Sequence, residues 1–151
     1  MQSKVLFGVL NWGLGHATRS IPVIDRLLQE DFDVYIASDG EALDLLQRHY
    51  PSLNFFALPS YNVKYPYQSV FFNILRYSGN IVNAVIQEGR EAKRLSEKIN
   101  ADVIISDSRF GFRYSGSYNI FISHQISLQL SNALLSIAGT YVNKQMIKKF
   151  D

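Results

Sequence analysis

Short apolar runs alternate along the chain with stretches whose apolar residues recur at helical spacing. Val5 to Leu10 is unbroken by polar residues and reads as a buried strand. The helix after it runs to about Gln29 and carries Ile21, Ile24, Leu27 and Leu28 on one face. Pro22 lies in its first turn if Thr18 or Ser20 is the cap, or kinks a helix that starts nearer His16. A second strand spans Asp33 to Ala37, and Asp39 is placed to cap a helix from Glu41 to His49. The third strand is Leu53 to Ala57. An aromatic loop with Pro59, Tyr61, Tyr65, Pro66 and Tyr67 then leads to a long helix from about Val70 to Ile99. Gly79 and Gly89 are expected to bend it. Asp102 to Ser106 is the fourth strand, followed by Asp107-Ser108-Arg109-Phe110 and a short helix. Asn119 to Ser123 is the fifth, followed by His124-Gln125. The tail, Leu128 to Phe150, is amphipathic and helical by pattern.

Strand and helix in regular alternation predict an α/β fold, a Rossmann-like parallel sheet with helices on both faces. With strand order 3-2-1-4-5, the order reverses between strands one and four, and ligands bind beyond the carboxyl ends of the strands at that point. His16 after strand one, Asp107 after strand four and His124 after strand five all fall on that edge. The first two flank the crevice.

Composition narrows the function classes. The 151 residues suit one domain, and 47% hydrophobic with 19% charged residues marks a globular chain. A formal charge of +2, with no basic block before Lys144 to Lys149, argues against nucleic acid as a partner. Cysteine is absent, which removes disulfides, zinc–thiolate sites and thiol nucleophiles. No apolar run approaches the ~20 residues of a membrane span, and the expected location is cytoplasmic.

Candidate chemistry concentrates in Asn11-Trp12-Gly13-Leu14-Gly15-His16-Ala17-Thr18-Arg19. Glycines at a strand-to-helix turn let the backbone approach a ligand closely, and the free N–H groups of a helix start suit a phosphate. An unprotonated imidazole at that point can accept a proton. As a dinucleotide fingerprint the segment fails at Thr18, although Asp39 stands where a ribose-binding acid would. No Gly-Lys-Ser/Thr follows, so a P-loop is excluded. Asp31-Phe32-Asp33 imitates a metal-binding DxD motif, but its place in a helix-to-strand turn on the opposite edge reads as coincidence. No metal ligand is assigned.

Gly13-Leu14-Gly15-His16-Ala17-Thr18-Arg19 resembles the GxGHxxR signature of bacterial GT-B glycosyltransferases of the MurG-like and UDP-glucuronosyltransferase-like kind. The resemblance extends over essentially the whole chain as the N-terminal, acceptor-side half of that fold. It implies transfer of a sugar from a nucleotide-sugar co-substrate, UDP-linked, to an acceptor hydroxyl. The histidine deprotonates the hydroxyl and an aspartate pairs with it, which maps to His16 and Asp107. Asn11, Gly13, Gly15, Arg19, Arg109 and His124 are expected to bind substrate. The donor-binding C-terminal domain lies outside residues 1–151, in the same polypeptide or a partner subunit, so the isolated chain is expected to be inactive. Aromatic residues Trp12, Tyr61, Tyr65 and Tyr67 are candidates to stack on an acceptor. Leu128 to Lys149 is a candidate for peripheral contact with an anionic membrane, and the exposed inter-domain face for self-association. Two alternatives stay open: a sugar-nucleotide epimerase of the same fold, and a non-catalytic Rossmann-like nucleotide-binding module.

Overall fold

A computed structural model describes residues 2–60, 70–123, 144, 145 and 147–151, with the side chains of the long helix described from residue 83 onward. The elements are β1 (Lys4–Val9), α1 (Leu14–Gln29), β2 (Asp33–Ser38), α2 (Gly40–His49), β3 (Asn54–Ala57), α3 (Val70–Ile99), β4 (Val103–Asp107) and β5 (Tyr118–Ile122). All neighbours in the sheet are parallel and the order is β3-β2-β1-β4-β5. The expected Rossmann-like order and switch point are therefore present.

Alternation along the strands divides the core in two. Val5, Phe7 and Val9 of β1 join Val34 and Ile36 of β2, Ile105 of β4, Ile24 of α1 and Leu46 of α2. Leu6, on the opposite face, joins Ile104 with Ala92, Leu95 and Ile99 of α3. Helices α1 and α2 thus cover one face and α3 the other, because successive strand side chains point to opposite sides. Each Leu, Ile or Phe buried this completely contributes about 1.5–3 kcal/mol relative to exposure. Gly8 is a packing glycine: a Cβ there would stand 2.4 Å from the Phe112 ring.

One open alternative is settled and two local expectations are corrected. Helix α1 begins at Leu14 and takes Pro22 into its interior, the alternative in which the helix starts nearer His16. Asp39 stands before α2, yet its side chain makes no capping hydrogen bond. Its carboxylate is held by other groups, described below. No short helix follows β4; turns replace it, closed by Phe112 N–H to Arg109 C=O at 3.1 Å and Ser117 N–H to Tyr114 C=O at 3.1 Å. The aromatic loop residues Tyr61, Tyr65 and Tyr67, His124, and most of the amphipathic tail lie outside the described residues. Asp151 N–H donates to Asn119 C=O at 2.9 Å, and Asn119 N–H donates to Asp151 Oδ2 at 2.7 Å.

Candidate active site

Strands β1 and β4 are hydrogen-bonded neighbours with Val9 opposite Asp107. Alternation on β4 puts Asp107 on the same face as Ile105, toward α1. On α1, His16 and Ser20 stand one turn apart on one face, with Arg19 beside them. The last residue of one central strand therefore meets the first turn of the helix that leaves the other.

The contacts are direct. His16 Nδ1 lies 3.2 Å from Asp107 Oδ2. Arg19 grips the same carboxylate with two nitrogens, Nε to Oδ2 at 3.2 Å and Nη2 to Oδ1. Arg19 Nη2 also lies 2.6 Å from His16 Nδ1 and 3.2 Å from Ser108 Oγ. The Ser20 hydroxyl reaches Asp107 Oδ2 at 3.2 Å and the His16 carbonyl at 2.8 Å. The Asp107 backbone is pinned by Leu10 N–H, 3.3 Å from its carbonyl. Ser108 turns the chain away with a φ of 59°, in the left-handed region that a serine adopts at a cost.

Burial sets the electrostatics. The Asp107 side chain is 1% exposed, that of His16 9% and that of Arg19 30%. Burial alone pushes the Asp107 carboxyl up, but the His16 and Arg19 side chains against it outweigh burial and hold the group below its ordinary value. Asp107 is a permanent carboxylate at neutral pH. The imidazole is more enclosed than an open cleft mouth would make it; Arg19 is the outermost member of the cluster.

A second ionic cluster lies deeper, and it holds both Arg109 and Asn11, two of the residues expected to bind substrate. Arg109 is fully buried. Its guanidinium donates from Nε to Val9 C=O at 2.8 Å, from Nη1 to Glu88 Oε1 at 2.8 Å, and from Nη2 to Asp39 Oδ1. Glu88 also accepts Gly111 N–H at 3.1 Å, and Asp39 accepts the Ser60 hydroxyl at 2.8 Å. These bonds turn Arg109 inward, tying the turn after β4 to β1, β2 and α3. Asn11 completes the arrangement. Its Nδ2 donates to Asp39 Oδ2 at 3.4 Å while its Oδ1 accepts Ala42 N–H at 3.3 Å, so Asn11 caps α2 in place of Asp39.

Gly13 and Gly15 remain at the surface. Gly13 has a φ of 73°, and a Cβ at either position would meet nothing within 4 Å. Trp12 and Leu14 beside them are 53% and 43% exposed. Asp31 and Asp33 lie at the start of β2, the far edge of the sheet, and among the described residues no cluster of three metal-binding side chains occurs. No described helix is long and apolar enough to cross a membrane.

Ser20, Ser108, Asp39 and Glu88 were not expected to serve these clusters. Ser20 was legible in principle, being one helical turn from His16. Nothing in the local sequence marks Glu88 as the partner of a residue across the fold.

The glycosyl transferase family 1 model matches residues 3–124. Among solved structures, the chain is similar to the calicheamicin glycosyltransferase CalG4, at 12% identity and a TM-score of 0.64, with 91% of this chain and 36% of that one covered. It is similar to the glycosyltransferase SnogD from Streptomyces nogalater, at 12% identity and 0.62, over 99% and 40%. It is also similar to Phytolacca americana UGT2, solved with UDP-2fluoro-glucose and pterostilbene, at 17% identity and 0.58, over 82% and 31%. The chain spans less than half the length of each. No curated protein matches it.

Proposed function

Because this chain belongs to glycosyl transferase family 1, we propose that it is the N-terminal, acceptor-side half of an enzyme that moves a sugar from a nucleotide-linked donor to a hydroxyl. The observation that carries the proposal is the 3.2 Å approach of His16 Nδ1 to Asp107 Oδ2 at the switch point of the sheet. A sugar or phenol hydroxyl is a weak nucleophile and needs a base close to it. His16 takes the hydroxyl proton on Nε2 while Asp107 accepts from Nδ1–H and stabilises the imidazolium that forms. The acceptor oxygen bonds to the anomeric carbon, the bond from that carbon to the donor phosphate breaks, and the nucleoside diphosphate leaves with the electron pair. Attack from the face opposite the leaving group inverts the anomeric centre.

The MurG-like or UDP-glucuronosyltransferase-like assignment rests on the GxGHxxR pattern, Gly13 to Arg19. UDP is the favoured nucleotide. The open turn of Gly13 and Gly15, with exposed Trp12 and Leu14, supports acceptor approach from above His16. The short coverage of the similar structures supports a separate donor-binding domain.

The test is an assay of the complete protein with nucleotide sugars and a panel of hydroxyl acceptors. Acceptor-dependent release of nucleoside diphosphate supports transfer. Epimerised donor without acceptor would instead support the epimerase reading, and absence of either reaction a binding module.

A further inference from the structure

Among the described residues His16 Nδ1 has two suitors, and it can satisfy only one. A guanidinium carries five N–H groups and no lone pair, so it can donate but never accept. Two nitrogens 2.6 Å apart therefore share a single proton, and Arg19 Nη2 must supply it. Nδ1 is then the acceptor, and in a neutral imidazole the ring proton sits on Nε2. That tautomer faces the hydroxyl with an N–H where a base needs a lone pair. Asp107 and Nδ1, 3.2 Å apart, are left as two acceptors held together by Arg19.

Resting on the transferase reading above, we infer that Arg19 is a positioning residue that gates the tautomer of His16. With the guanidinium on Nδ1, the imidazole is held in the form unable to accept a proton. When an anionic diphosphate group draws Arg19 outward, Nδ1 takes the proton and donates it to Asp107. Nε2 then becomes the base. The move is a proton relocation within one ring by way of solvent, and no charge is created by it.

The surroundings favour such a switch. Arg19 is the most exposed of the three side chains, at 30% against 9% and 1%, so an incoming anion meets it first. Asp107 stays satisfied when Arg19 leaves. Ser108 Oγ at 3.3 Å remains to donate to it and Nδ1–H becomes a second donor, while the Ser20 hydroxyl, which donates to the His16 carbonyl at 2.8 Å, stands 3.2 Å away. A buried carboxylate stripped of its donors would oppose the change; this one is not stripped. The gate couples donor arrival to activation of the base, which limits proton abstraction while no donor is present.

Ring-nitrogen NMR of the complete protein, labelled in histidine with nitrogen-15 and held where the imidazole is neutral, reads the tautomer without turnover. The expected result is an Nε2–H ring in the native protein, converted to Nδ1–H by Arg19→Met and by saturating inorganic pyrophosphate. A native ring already protonated on Nδ1 overturns the inference, as does a ring that stays Nε2–H in Arg19→Met. Conversion by Arg19→Met without any response to pyrophosphate overturns the anion as the trigger. If the variant fails to fold, the native tautomer and the pyrophosphate titration still decide. None of these outcomes depends on sugar transfer, which the acceptor-dependent release assay measures separately.

Discussion

The guanidinium of Arg109 binds the carboxylate of Asp39 in the interior, across 70 positions of sequence, with neither side chain more than 6% exposed. Glu88 holds the other end of the same guanidinium. The three charges fix the turn that follows Asp107.

Replacing Arg109 with Met leaves Asp39 and Glu88 buried without their cation. The expected loss is about 3–5 kcal/mol, the cost of stranding buried charge. Equilibrium unfolding in urea measures it. Adding Asp39→Asn and Glu88→Gln to that variant should recover part of the loss; further destabilisation by the added changes would contradict the reading of the loss as stranded buried charge.

In the complete protein, His16→Ala should lower kcat by about 10²–10⁴ as the proton acceptor is lost, with little change in the unfolding midpoint. Steady-state kinetics beside a thermal melt separates the two. Normal turnover in this variant would remove His16 from the mechanism.

Asp107 gives the fold a distinct acid limb. Its folded value is depressed, so its stabilisation is fully present above the unfolded value of about 3.9 and is lost as pH falls through the lower folded value. Stability measured between about pH 5 and pH 2 should fall less steeply in Asp107→Asn than in the native protein. Parallel acid limbs would show that the carboxylate is not held down.

Two glycines make opposite predictions. Gly40 has a φ of 51°, and a Cβ there would stand 2.3 Å from Asn11 Nδ2. Gly40→Ala should destabilise by about 1–2 kcal/mol through strain and the displaced cap. Gly15 lies in α1 with open space around it, so Gly15→Ala should be neutral or stabilising by up to ~1 kcal/mol. If Gly15 serves ligand approach, the same variant raises KM while its melting temperature holds. Unchanged kinetics in Gly15→Ala would leave the glycine without a role in binding.

Much of the fold was legible because parallel sheets write themselves as apolar runs separated by periodic helices. The run at Val5 and the periodic stretch from Val70 to Ile99 were read as strand and helix, and the strand order came with the Rossmann-like fold that their alternation predicts. The pairing of His16 with Asp107 was legible as well, since both leave neighbouring strands at one edge. Charge was harder to read. Arg109 two positions after Asp107 gives no sign of an internal partner, and Asp39 before α2 looks like a cap. In the fold the two are bound to each other, and a partnership across the fold leaves no local trace. The turns after β4 were hidden for a related reason: Arg109 C=O and Gly111 C=O close tight bonds there that no periodicity announces.

The separation between His16 and Asp107 is inherited from the ladder that sets Val9 opposite Asp107. Backbone bonding between two central strands is among the least adjustable dimensions in a protein. Loops around the crevice can therefore be lengthened, shortened or exchanged without retuning the imidazole. Under the function proposed above, a change of acceptor on this scaffold needs no new chemistry, only new walls.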